Sequence, residues 1–183
     1  MDTPKVFLSS TSVDLASVRT EISKWLTGLF ETKLIIMETF GSDAAPPEIN
    51  SVRRVRECDL FVGIYAHRYG KIDEASGASI TELELDEASA SLSAGTMRDI
   101  LLFTIDENST WLSEYRENEA AAIAGLTRLR TKAKLHTYTS FHGQEDLLFC
   151  VTKDVFKRLS QILGAASPKT RKSVLVQPKP LRR

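Results

Sequence analysis

Cysteine is scarce in this chain: 183 residues contain two, Cys58 and Cys150. Their separation suits neither a disulfide framework nor a metal-ligand spacing, so both read as small buried hydrophobes. Histidine is almost as sparse. His67, His136 and His142 share no ligand spacing, and no metal is expected. Long apolar runs are missing too. The longest, Leu60 to Tyr65 and Ile100 to Ile105, fall far short of the roughly 20 residues that cross a bilayer, so no membrane partner is expected. Met1-Asp2-Thr3-Pro4-Lys5 lacks the charged-then-apolar layout of a signal peptide, which points to a cytoplasmic protein.

Net charge is absent only in sum. The 24 basic and 24 acidic residues cancel, yet residues 167–183 hold six basic residues and no acidic one, which leaves residues 1–166 at −6. An acidic body argues against specific nucleic-acid binding. Three of the six prolines also lie after residue 166. The expected organisation is one domain over 1–166 followed by a basic, Pro-rich tail or linker over 167–183. A body of that length can hold a full core, since chains near 150 residues bury about 70% of their unfolded surface.

Within the body, strand-like and helical periods alternate. Val6-Phe7-Leu8 is a first strand, followed by Leu15, Val18, Ile22, Trp25, Leu26 and Leu29 at helical spacing, with Ser12 as N-cap and Asp14 in the first turn. Leu34 to Met37 forms a second strand, and a loop over Gly41 to Ala45 leads through Pro46-Pro47 to a helix over Glu48 to Glu57. Asp59 to Tyr65 is the central strand. Ser79 opens a helix that Gly95 stops, Ile100 to Ile105 is a fourth strand, and Tyr115 to Lys132 a long helix. Leu135 to Thr139 is a polar edge strand, and Glu145 to Leu163 a closing helix. Five alternating units predict a three-layer α/β sandwich of flavodoxin-like type, with a parallel sheet of order 2-1-3-4-5 and helices on both faces.

That order puts a topological switch between the first and third strands, where ligands bind outside the strands' carboxyl ends. Two loops flank it: Ser9-Ser10-Thr11-Ser12-Val13-Asp14, and the loop that starts Ala66-His67-Arg68-Tyr69-Gly70 and ends at Ser79. Hydroxyls, an arginine, a tyrosine and a helix start suit a ribose, phosphate or nucleotide. The same residues also read as a helix cap and a solvated arginine. On the helix after the third strand, Glu82 is expected to point inward at the crevice mouth and Glu84 to lie further round. A carboxylate there can stabilise, or attack, a ribose carbon as an N-glycosidic bond breaks. Ser79-x-x-Glu82 is equally a capping box. Receiver-domain acids, a P-loop and a flavodoxin phosphate loop are all incomplete in this sequence.

Four motifs in order, Val6-Phe7-Leu8-Ser9-Ser10-Thr11 with Asp14-Leu15 and Arg19, Cys58 to Ile64, Arg68-Tyr69-Gly70 and Ser79 to Glu84, resemble the domain-of-unknown-function family 4062. That family looks like a distant relative of TIR domains and nucleoside 2-deoxyribosyltransferases. The resemblance implies a TIR-like fold, with members often standing ahead of NACHT or other STAND-type NTPase modules in intracellular defence and signalling systems. It implies Glu82 as the catalytic carboxylate with Glu84 its nearest competitor, and the Ser9-Ser10-Thr11 loop facing the nucleotide; Asp14, Arg68, Tyr69 and Ser79 of the two flanking loops are the further ligand-binding candidates. The cysteine or tryptophan often near the TIR glutamate is absent, as is the Gly-Thr-Ala signature of the deoxyribosyltransferases.

Two readings follow. One is an effector that hydrolyses the N-glycosidic bond of NAD or a related nucleotide, with NAD as substrate and no bound cofactor. The other is a non-catalytic module that self-associates or joins partner domains of a larger NTPase protein through its surface helices.

Overall fold

The computed structural model describes residues 3–29, 33–35 and 47–166. Within them five strands, β1 Lys5–Ser10, β2 Lys33–Ile35, β3 Leu60–Tyr65, β4 Asp99–Ile105 and β5 Tyr138–Phe141, form one sheet. The order is β2-β1-β3-β4-β5 and every pairing is parallel. Helices α1 Ala16–Leu29, α2 Pro47–Arg56, α3 Ile80–Ser93, α4 Ala120–Ala133 and α5 Gln144–Ala166 connect and cover the strands. This is the expected flavodoxin-like α/β sandwich.

Side chains alternate across a strand, so each strand feeds two cores. Val6, Leu8, Leu60, Val62 and Phe103 pack on one face with Val18, Ile22 and Leu26 of α1 and Val151, Val155 and Leu159 of α5. Phe7, Phe61, Tyr65 and Leu102 pack on the other with Val55, Leu85, Ala88, Leu126 and Leu129 from α2, α3 and α4. Phe7 and Phe61 stack at 5.8 Å between ring centroids. β1 and β3 are buried on both faces, apart from half-buried Lys5 at the start of β1, which explains their continuous apolar character.

Several boundaries differ from the expected ones, each for a visible reason. The first helix begins at Ala16, so Ser12 does not cap it and Asp14 precedes it. Asp14 is drawn away by the Thr11 hydroxyl and by the amides of His67 and Arg68. The fourth helix does not start at Tyr115. Leu112 is left-handed (φ 56°) and opens a 3-10 turn at Ser113–Tyr115, and the chain then leaves helical geometry. There Arg116 bonds the Ser109 carbonyl and Glu117 accepts the Tyr69 amide. The last strand sits three residues late because the amides of Lys134, Leu135 and His136 close the end of α4. Leu135 is 83% exposed, whereas Phe141, beyond the expected strand, is fully buried. Ile36 and Met37 of the expected second strand, the loop over 41–46 and the 167–183 tail lie outside the described residues.

Candidate functional site

β1 and β3 run side by side, with Ser9 opposite Gly63 and Ser10 opposite Ile64, and their chains then diverge. Asp14 holds the two exits together. One carboxylate oxygen accepts the Thr11 hydroxyl, and the other accepts the amides of His67 at 3.1 Å and Arg68 at 3.2 Å. Asp14 is 4% exposed, so its part is to clamp the loops. Arg19, reaching back from α1, donates to the Ser10 carbonyl at 2.7 Å and its hydroxyl at 2.9 Å. Gly70 follows with φ of +94°, and a Cβ there would meet Thr11 at 3.2 Å and Thr81 at 3.3 Å. Glycine thus keeps open a crevice that any side chain would narrow.

The crevice contains a cavity of about 710 Å³ walled by Ser10 to Val13, Arg19, Arg68, Gly70, Lys71, Ile80 and Thr81. This is within the usual range of small-molecule sites. It lies at the carboxyl end of the sheet between β1 and β3, where the strand order turns.

α3 brings two glutamates to this region, one on each flank of its buried stripe. At 100° per residue, Glu84 shares the face of cavity-lining Ile80 and Thr81, while Glu82 turns away. Glu84 is 2% exposed and accepts the hydroxyls of Ser9, at the end of β1, and Ser51 of α2. Tyr65 stands beside it, its phenol pushed well above the ordinary value by burial and then by the Glu84 charge.

Glu82 faces α4 instead. Arg128 grips its carboxylate in bidentate fashion at 2.8 and 2.9 Å, Lys132 approaches to 2.7 Å, and the Tyr69 hydroxyl donates to it. Burial alone would raise Glu82, but hydrogen bonds from Arg128, Lys132 and Tyr69 outweigh it and hold the group at about 2. The capping box is half formed. Ser79 Oγ accepts the Glu82 amide at 3.1 Å, but the Ser79 amide goes to Tyr69 Oη at 3.0 Å rather than to the Glu82 carboxylate. The ring of Tyr69 fits because position 125 is glycine, where a Cβ would fall 2.4 Å from it.

Of the residues singled out in the sequence, Ser10, Thr11 and Arg68 therefore line the cavity, and Ser9 and Glu84 form a buried polar pair that is not part of its lining. Asp14, Tyr69 and Ser79 are engaged within the protein, and Glu82 does not point into the crevice mouth as expected. Arg19, Lys71 and Ser51 were not expected at the site. Arg19 had a signal in the four-motif resemblance, whereas the contacts of Ser51, Arg128 and Lys132 depend on packing between helices remote in sequence. Among the described residues no group of three or more His, Cys, Asp or Glu is placed to hold a metal ion. No helix among them is long and apolar enough to cross a membrane.

A search of curated proteins finds no relative of this chain. Among solved structures it is similar to a 2-desoxiribosyltransferase from Leishmania mexicana, at 16% identity and a TM-score of 0.41 over 65% of this chain and 76% of that one. In sequence, residues 5–155 match the family described as "Domain of unknown function (DUF4062)", a span that runs from the first residue of β1 well into α5. The chain belongs to the DUF4062 family.

Proposed function

We propose that the domain binds a nucleotide-type ligand in the β1–β3 crevice and cleaves or transfers its N-glycosidic bond, with Glu84 as the carboxylate. The observation that supports this reading is that Glu84, bonded to Ser9 where β1 ends, lies about one turn along α3 from cavity-lining Ile80 and Thr81 and on their side of the helix, just behind the cavity wall. As the bond to the base breaks, positive charge develops on the ribose carbon, and a fixed carboxylate stabilises or captures it. The Ser9 and Ser51 hydroxyls orient that carboxylate. Glu82 is engaged on the α4 side, where Arg128 and Lys132 pair with it. Its part is to fix Tyr69 and α4 beside the crevice.

Release of free base from NAD and from a panel of nucleosides and nucleotides tests the assignment. Glu84→Gln should lower turnover at least about 100-fold without loss of fold, whereas Glu82→Gln should keep turnover in its folded fraction. Undiminished turnover by Glu84→Gln removes Glu84 as the catalyst.

A second reading, self-association or docking to modules of a larger NTPase protein, is favoured by exposed apolar residues. Phe149 and Phe156 on α5 are 66% and 52% exposed, and Ile49 on α2 is 58% exposed.

A further inference from the structure

We infer that the crevice selects a phosphorylated ligand, a nucleotide bearing a phosphate or pyrophosphate, over the uncharged nucleoside. The inference rests on the reading of the crevice as a nucleotide site and goes on to its substrate class. Among the described residues, the ionisable groups lining the cavity are Arg19, Arg68 and Lys71, with no carboxylate among them. They reach it from two segments, Arg19 from α1 and Arg68 and Lys71 from the loop between β3 and α3. Three convergent cations stand out in a body whose charge over residues 1–166 is −6. A long-range field of that sign repels anions, so attraction here must come from local donors.

Arg68 gives the sharpest indication. Its Nη1 forms an ion pair with Glu117 at 3.4 Å, and its Nε is buried with no hydrogen-bond partner among the described residues. A guanidinium that lines the cavity and holds one loose ion pair keeps donor capacity for a further acceptor, and a phosphate oxygen supplies one with charge assistance. The start of α3 contributes little in amides. The Ser79 amide is given to Tyr69 and the Ile80 amide to the Lys71 carbonyl. Side chains supply what the start of α3 does not, with the hydroxyls of Ser10, Ser12 and Thr81 completing the lining.

Calorimetric titration of the full chain with inorganic pyrophosphate, AMP and adenosine tests this, with Arg68→Gln and Lys71→Glu measured alongside. Lys71 is exposed, so Lys71→Glu should fold like the wild type, which its unfolding midpoint checks. Pyrophosphate should bind, weaken as salt rises, and lose about tenfold in affinity in each variant; AMP should bind about tenfold more tightly than adenosine. Pyrophosphate binding that is absent, or indifferent to both substitutions, overturns the inference, as does adenosine binding as tightly as AMP. Glu84-dependent turnover of an uncharged nucleoside as fast as of its nucleotide would discard phosphate selection and keep the glycosidic reading. Pyrophosphate binding through Arg68 and Lys71 without base release from any nucleotide would keep the anion site and discard the glycosidic reading.

Discussion

Glu82 and Glu84 are two positions apart and both almost fully buried, yet they meet different elements. Glu84 accepts from two serine hydroxyls, whereas Glu82 is clasped by a guanidinium and an ammonium. This difference should be visible in stability. The folded value of Glu82, about 2, lies below its ordinary 4.5, so its contribution is fully present above about pH 4.5 and is lost as pH falls toward 2. Arg128 is half exposed, which screens part of the gain, and an effect of about 2 kcal/mol is expected. In urea unfolding, Glu82→Gln should cost about that much at pH 7 and flatten the loss of stability between about pH 5 and pH 2. An unchanged acid limb in the variant would show that the ion pair contributes nothing in solution.

At the scale of elements, α4 decides how the region behind the crevice is built. It supplies Arg128 and Lys132 to Glu82, and Gly125 makes room for the Tyr69 ring. Intrinsic propensity favours Gly125→Ala by about 1 kcal/mol in a helix interior. The structure predicts the opposite sign. The added Cβ would fall 2.4 to 2.7 Å from three ring atoms of a tyrosine that is 1% exposed, so the ring or the helix must shift. A net loss of about 1–3 kcal/mol is expected, read as a lower thermal or urea midpoint. The start of α4 differs from the expected one for a local reason. The alanine- and charge-rich stretch from Tyr115 is helical in composition, but Arg116 and Glu117 find partners in Ser109 and Tyr69 that the helix would deny them.

At the scale of the whole molecule, two cores on either side of a parallel sheet leave α5 as an outer helix. Its Phe149 and Phe156 are seven residues apart, hence on one stripe, and both face outward. If this stripe joins copies of the chain, light scattering over a concentration series should show a rising mass, and Phe149→Ser with Phe156→Ser should return it to a monomer. A constant monomer mass for the unsubstituted protein would remove self-association through this helix. Catalysis at the crevice and association through α5 use different surfaces, so either can fail without the other.

The sequence by itself determined the layered α/β architecture and the strand order, because local periodicity and the need of parallel strands for crossovers leave few alternatives. With that order came the crevice between the Ser9 to Asp14 loop and the loop that follows Tyr65. Tertiary structure alone decided the partners of the two α3 glutamates. Both flanks of α3 are buried, so burial patterning cannot tell them apart, and the choice depends on what packs against each flank: Ser9 and Ser51 on one side, Arg128 and Lys132 on the other. Those last two come from α4, 46 residues or more further along the chain. The sequence placed Arg68 at the crevice, but that Arg19 of α1 joins Arg68 and Lys71 there depends on the sheet bringing α1 against the loop after β3.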